Sequence, residues 1–242
     1  MKKKTVILFF VFVLTFVNVS NAQHWRFSEA AFSRYIEKYR LDDWDSSLIE
    51  GNPFLFDEEK QITVVTKEDK KYVFPKANYQ ISNDLLFYKD NDDLYEIFPD
   101  KVKFVMLEDG KRKRIFVPGA QFPVMSKHKF KFFEVFTDAP QFVYVLVGYK
   151  KKIVPKNLSQ SYASDKSVEE QVFKLEKFVF IKTSEGFVKV SPKLKNIAKI
   201  LGWDDSTYKK MKKIVRQKKW KLNRPEDLQK LMEYYYLTPE KK

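Results

Sequence analysis

The sequence has no cysteine. This excludes disulfides, thiolate metal ligation, a cysteine nucleophile and a lipidated N-terminal cysteine. It has only six glycines in 242 residues, and they form no phosphate-binding loop, dinucleotide fingerprint or Gly-x-Ser-x-Gly elbow. Histidine is equally scarce, with only His24 and His128. His128 lies in the basic turn Ser126-Lys127-His128-Lys129, with no second histidine or carboxylate at a spacing that completes a metal site. The acidic runs Asp42, Asp43, Asp45 and Asp90, Asp92, Asp93 lack the alternating pattern, glycine and distant glutamate of a calcium loop. They read as turn formers. No metal ligand, cofactor or catalytic residue is assigned from the sequence.

Long apolar runs are also missing, apart from one at the start. Lys2, Lys3 and Lys4 precede an apolar run over 5–17, and Ser20-Asn21-Ala22 places small residues at the −3 and −1 positions of a cut after Ala22. A run of about 13 residues falls short of the ~20 needed to span a bilayer. The pattern predicts a secretory signal peptide over 1–22, giving an exported chain in the periplasm, at the cell surface or secreted, with no transmembrane span after cleavage.

What the sequence has in quantity is aromatic and basic side chains. Hydrophobic residues make up 44% and aromatics 17%, including 23 Phe and 13 Tyr, enough for a core dominated by rings. From 54 to 150, short β-branched and aromatic runs alternate with Asn, Asp, Gly and Pro. Examples are Leu85-Leu86-Phe87-Tyr88, the turn Asp90 to Asp93, the Asp109-Gly110 turn and the all-apolar run Phe142 to Val147. This pattern predicts an antiparallel meander with a buried central strand near Val143, Val145 and Leu146. Pro75 is expected to end or edge its strand.

Before the meander, Ala31, Phe32, Tyr35, Ile36 and Tyr39 fall at helical spacing and predict a helix over 25–41. After it, Ser191-Pro192, Asp204-Asp205 and Asn223-Arg224-Pro225-Glu226 read as starts of three helices, with Gly202 closing the first. The expected fold is α+β and predominantly antiparallel β: a curled sheet, a sandwich or a partly open barrel, with an N-terminal helix and a helical C-terminal appendage. Its divisions are the signal peptide at 1–22, a helix and β-rich body over 23–153, a polar loop or linker over 154–171, and a last β-hairpin with a basic helical tail over 172–242.

The net charge of +14 is local. Residues 189–221 hold twelve Lys and Arg against Asp204 and Asp205 alone. Lys209, Lys210, Lys212, Lys213, Arg216, Lys218 and Lys219 crowd the polar side of one helix whose other side carries Tyr208, Met211 and Val215. A solvated helix face explains such a run. So does an anion-binding face for lipid or polysaccharide of the cell envelope. Another envelope protein is a further partner consistent with export, whereas nucleic acid is disfavoured by it.

The series Gly51-Asn52-Pro53-Phe54-Leu55, Asn78-Tyr79, Leu94-Tyr95 with Pro99, Phe133-Glu134-Val135, Val179-Phe180-Ile181-Lys182 with Val190, Leu222-Asn223, Glu226-Asp227-Leu228 and Tyr234-Tyr235 resembles a group of exported bacterial proteins without an assigned activity. That resemblance implies a signal peptide, a β-rich middle and a Lys-rich helical end, and carries over no catalytic or binding residue. The sequence is therefore read as an exported, non-enzymatic binding or scaffolding protein of the envelope. The alternative is a carboxylate-dependent hydrolase acting on envelope or extracellular polysaccharide, whose paired acids leave no sequence signature.

Overall fold

The computed structural model describes residues 33–36, 49–91, 93–110, 112–125, 129–137, 142–155 and 171–238. Among the described residues thirteen strands join in one sheet. They are β1 (Ser33–Ile36), β2 (Ile49–Glu50), β3 (Lys60–Thr66), β4 (Lys71–Gln80), β5 (Leu85–Asp90), β6 (Asp93–Ile97), β7 (Val102–Asp109), β8 (Arg112–Pro118), β9 (Val124–Met125), β10 (Phe132–Val135), β11 (Val145–Pro155), β12 (Gln171–Thr183) and β13 (Gly186–Lys189). The order is β1-β6-β5-β4-β3-β7-β8-β10-β11-β12-β13-β9, with β2 beside β12. All pairings are antiparallel except β2 with β12 and β9 with β13.

The turns follow their residues. Asp69, Asn91 and Gly110 have φ of 61°, 55° and 64° at the tips of the β3–β4, β5–β6 and β7–β8 hairpins. Asp and Asn tolerate this left-handed conformation better than most side chains. The predicted antiparallel meander is therefore present, and Val143, Val145 and Leu146 are buried as expected.

Two local expectations are corrected. Ser33–Ile36 is not helical: it pairs residue for residue with Ile97 to Leu94 as an edge strand. The rest of the predicted helix, the signal segment and most of the polar stretch over 154–171 lie outside the described residues. Pro75 does not end its strand. The β3–β4 register slips by one residue between the pairs Ile62–Phe74 and Lys60–Ala77, and pairing with β5 begins at Lys76. Proline's missing N–H falls at this bulge, where the ladder asks for no donor.

Side contacts show how the sheet curls. On one face Tyr79 of β4 meets Phe116 and Phe132 edge-on, with ring centres 5.7 and 6.4 Å away. β4 is separated from β8 and β10 by β3 and β7 in the strand order, so contact requires the sheet to bend toward itself. Ile62, Val64, Ala77, Tyr88, Val105 and Leu107 fill the same interior. A second cluster covers the opposite face around Phe130, Phe133, Leu146, Phe178 and Phe180. Gly148 is needed there: a Cβ on it would lie 2.6 Å from the ring of Phe130.

Among the described residues three α-helices follow the sheet: α1 (Leu194–Leu201), α2 (Asp205–Gln217) and α3 (Pro225–Leu237). Gly202 ends α1 at φ 64°, and Asp204 caps α2 through Thr207 N–H at 2.8 Å. The other two starts shift slightly from expectation, with Lys193 and Arg224 as the caps and Pro225 in the first turn. Leu228, Leu231 and Met232 of α3 are fully buried. Between them Gln229 fixes the helix to the beginning of β11. Its Oε1 accepts from the N–H of Tyr144 (3.1 Å) and Val145 (2.9 Å), while its Nε2 donates to the carbonyl of Phe142 (2.6 Å). The described helices are too short and polar to cross a membrane.

Candidate functional site

Charged side chains occur in two settings. The first is the interior of the curl. Arg114 on β8 donates through Nε and Nη2 to the two carboxylate oxygens of Glu134 on β10, at 2.7 and 2.8 Å. Arg114 also donates to the Tyr149 hydroxyl at 3.0 Å, and that hydroxyl donates to Glu134. The guanidinium sits 4.9 Å from the centre of the Phe56 ring. Every oxygen of the buried carboxylate thus has a donor, which is what a buried charge requires. Burial, followed by the neighbouring Glu134 charge, pushes the Tyr149 phenol far up, so it stays protonated.

A second buried group joins the β4–β5 turn to β10. Tyr79 donates to Asp84, and the Lys131 N–H donates to the other oxygen of Asp84 at 2.6 Å. Lys131 Nζ reaches Glu96 at 2.9 Å, and Arg34 Nη2 reaches the same glutamate at 2.6 Å. The two acids differ in consequence. Burial raises the Asp84 carboxyl. Burial also works against ionised Glu96, but hydrogen bonds from Lys131 and Arg34 outweigh it and hold that carboxyl below its ordinary value. A glycoside hydrolase needs two carboxylates facing one bond across a cleft. Here Asp84, Glu96 and Glu134 are each engaged with donors of the fold.

The second setting is α2. Met211 is buried, and Tyr208, Ile214 and Val215 are half-buried on the docked side. Lys209, Lys210, Lys212, Lys213 and Arg216 project from the exposed side, and Lys218 and Lys219 continue the exposed patch past the helix end. The helix ends in a Schellman arrangement. Trp220 N–H reaches the Val215 carbonyl at 3.0 Å and Lys219 N–H the Arg216 carbonyl at 3.1 Å. Lys219 occupies the left-handed position at φ 55°, where glycine is usual. Lys212 lies over the Tyr208 ring at 5.9 Å. Among the described residues no carboxylate pairs with Lys209, Lys213, Arg216, Lys218 or Lys219. Some lysines on the strands do pair: Lys103 with Asp69 at 2.7 Å and Lys152 with Glu176 at 2.8 Å.

The seven cations singled out in the sequence therefore share one exposed surface. The two buried charge groups carried no sequence signal, because apart from Tyr79 and Asp84, five residues apart, their bonded members lie 15 to 62 residues apart. Among the described residues no group of His, Asp or Glu is arranged to hold a metal ion. His24, His128 and the run Asp42 to Asp45 lie outside the described residues. A recess of about 330 Å³ on the sheet's second face is lined mostly by apolar side chains, Phe104, Met106, Ile115 and Val117 among them, with Lys103, Gln121 and Thr137.

No protein-family model matches the chain, and neither a curated protein nor a solved structure matches it, so none of these comparisons identifies the exported group that the sequence resembles.

Proposed function

We propose that the chain is an exported, non-enzymatic binding protein of the cell envelope whose α2 surface engages an anionic partner, lipid or polysaccharide. One observation carries this reading. Five cations stand on the exposed side of a helix whose opposite side is docked, two more follow at its end, and five of the seven have no carboxylate partner among the described residues. Uncompensated like charges repel one another, and an external anion relieves that repulsion. The signal-peptide pattern over 1–22 supports export, and export places anionic lipid and polysaccharide within reach. The buried carboxylates support a binding role over hydrolysis, since their oxygens are taken up by the fold itself.

Each lysine held near an anionic surface contributes about 1 kcal/mol. The attraction decays over a Debye length of ~8 Å at physiological salt. Four or five engaged lysines give a weak affinity that falls steeply as salt rises. The test compares the wild-type chain with a variant carrying Gln at 209, 210, 212 and 213. Sedimentation with vesicles rich in anionic phospholipid, and retention on an immobilised acidic polysaccharide, are measured at low and high salt. Wild type should bind at least one at low salt and release at high salt, and the variant should bind neither. Absence of low-salt binding to both, or equal binding by the variant, overturns the proposal.

A further inference from the structure

Beside the basic surface, the junction of α1 and α2 and the last turns of α3 enclose a cleft of about 680 Å³, a size that suits a small ligand. Trp203, Tyr234, Tyr235 and Tyr236 line it together with Asp204 and Lys210. The rings form a connected set. Trp203 and Tyr235 have centres 5.1 Å apart, and Tyr235 and Tyr236 5.0 Å. Tyr236 is anchored from behind by a stack on Tyr144 at 5.0 Å and by its hydroxyl on the Lys182 carbonyl at 2.8 Å. Burial, then the neighbouring Tyr235 and Tyr144, pushes the Tyr236 phenol up to about 12, so it remains a donor. Among the described residues the Tyr234 and Tyr235 hydroxyls have no hydrogen-bond partner.

The polar groups are of both signs. Hydrogen bonds from Thr207 hold Asp204 below the ordinary carboxylate range, so it is ionised at neutral pH. Lys210 belongs to two surfaces at once. It lines the cleft, it follows Lys209, and Lys213 stands one helical turn further on.

We infer that this cleft binds a segment of an acidic polysaccharide, a chain of sugars bearing carboxylate groups. Sugar rings offer flat C–H faces that lie on aromatic rings, and hydroxyls that donate to a carboxylate and exchange hydrogen bonds with phenols. Asp204, Tyr234 and Tyr235 supply those partners. Lys210 takes a sugar carboxylate at the cleft edge, and the chain continues over Lys209 and Lys213. Two other polyanions fit less well. A bilayer is flat and does not enter a cleft. A phosphate-dense polymer meets the Asp204 charge inside it and has few hydroxyls to satisfy that carboxylate.

The inference rests on the basic-surface reading and names its ligand. The experiment titrates a galacturonic acid hexamer into the full chain by calorimetry at low salt, with a neutral glucose hexamer alongside. Three proteins are compared with wild type: Tyr235→Leu, Lys210→Gln, and the variant with Gln at 209, 210, 212 and 213. Thermal melting reports folding in each. Tyr235→Leu should weaken acidic-hexamer binding at least tenfold while leaving its salt dependence unchanged. Lys210→Gln, a substitution at an exposed position, should weaken it several-fold. The fourfold Gln variant should both weaken it and flatten the salt dependence. If the hexamer binds Tyr235→Leu and Lys210→Gln as it binds wild type, the cleft is overturned while the basic surface stands. If wild type ignores the hexamer yet sediments with anionic vesicles, the saccharide is overturned and a lipid partner replaces it. Equal affinity for the neutral hexamer overturns the role of the carboxylates.

Discussion

The interior of the curl and the outer side of α2 treat charge in opposite ways. Inside, Arg114, Glu134 and Tyr149 come from three strands and saturate one another. Outside, among the described residues, Lys209, Lys213 and Arg216 of α2 and Lys218 and Lys219 just beyond it have no carboxylate partner. Desolvation makes the difference. A buried charge without donors costs several kcal/mol, so the fold keeps only charges it has already paired. An exposed lysine costs almost nothing, so an unpaired cluster is free to be kept for an external partner. Substitutions in the two regions should therefore fail differently: the interior loses stability, and α2 loses binding.

The largest effect should follow Arg114→Met. It leaves Glu134 buried with only Tyr149 as donor, a loss of about 3–5 kcal/mol. Chemical denaturation measures it. Adding Glu134→Leu should recover most of the loss, because the orphaned charge goes with its partner. A double variant as unstable as the single one would mean that the pair contributes more than mutual satisfaction. Gln229→Leu comes next. It strands two backbone N–H groups at the beginning of β11 and should cost ~2–4 kcal/mol. Amide exchange at Tyr144 and Val145 should rise before exchange elsewhere in the sheet. The fourfold Gln substitution on α2, by contrast, should move stability by less than ~0.5 kcal/mol.

Acid titration separates Glu96 from Asp84. The Glu96 carboxyl is lowered from its ordinary 4.5. Its contribution is therefore present above that value and is lost as pH falls through the lower folded value. The Asp84 carboxyl is raised from 3.8, so its contribution has the opposite sign: present below 3.8 and lost as pH rises through the folded value. Glu96→Gln should flatten the acid limb of the stability curve and Asp84→Asn should steepen it. Asn suits position 84, where φ is 52°. Melting temperatures between pH 3 and 6 are the measurement, and equal slopes in the two variants would contradict the assignment.

How much of this was legible in sequence depends on chain separation. Turn residues act on their own neighbours, so Asn91, Gly110 and Gly202 marked their turns correctly. The apolar run at Val145 and Leu146 marked the buried strand for the same local reason. Tyr35 and Ile36 misled because residues at helical spacing are also able to extend, and the choice was made by β6, some 60 residues away. Pro75 misled because the bulge that accommodates it belongs to the β3–β4 pairing rather than to its own segment. Within the site, the lysines of α2 were legible as composition. The cleft was not: Tyr234-Tyr235-Tyr236 is an unusual run, but only the packing of α3 beside Trp203 turns it into a lining.

The smallest effect gives the sharpest comparison, because here stability and binding should move in opposite directions. Lys219 holds the left-handed position of the α2 Schellman turn at φ 55°. A side chain with a Cβ is strained there by roughly 1–2 kcal/mol, and glycine is not. Lys219→Gly should therefore stabilise the chain, by about 0.5–1 kcal/mol once the greater freedom of glycine in the unfolded state is counted. The same substitution removes one cation from the patch. A charge kept where the backbone disfavours any side chain is explained if that charge is used. Melting temperature should rise and anionic binding should weaken, by roughly fivefold for a lysine contributing about 1 kcal/mol. Lys219→Asn relieves part of the strain and removes the same charge, so it should show the same binding loss with a smaller rise in melting temperature. A more stable Lys219→Gly protein that binds as wild type does would place Lys219 outside the engaged surface and confine that surface to α2 itself.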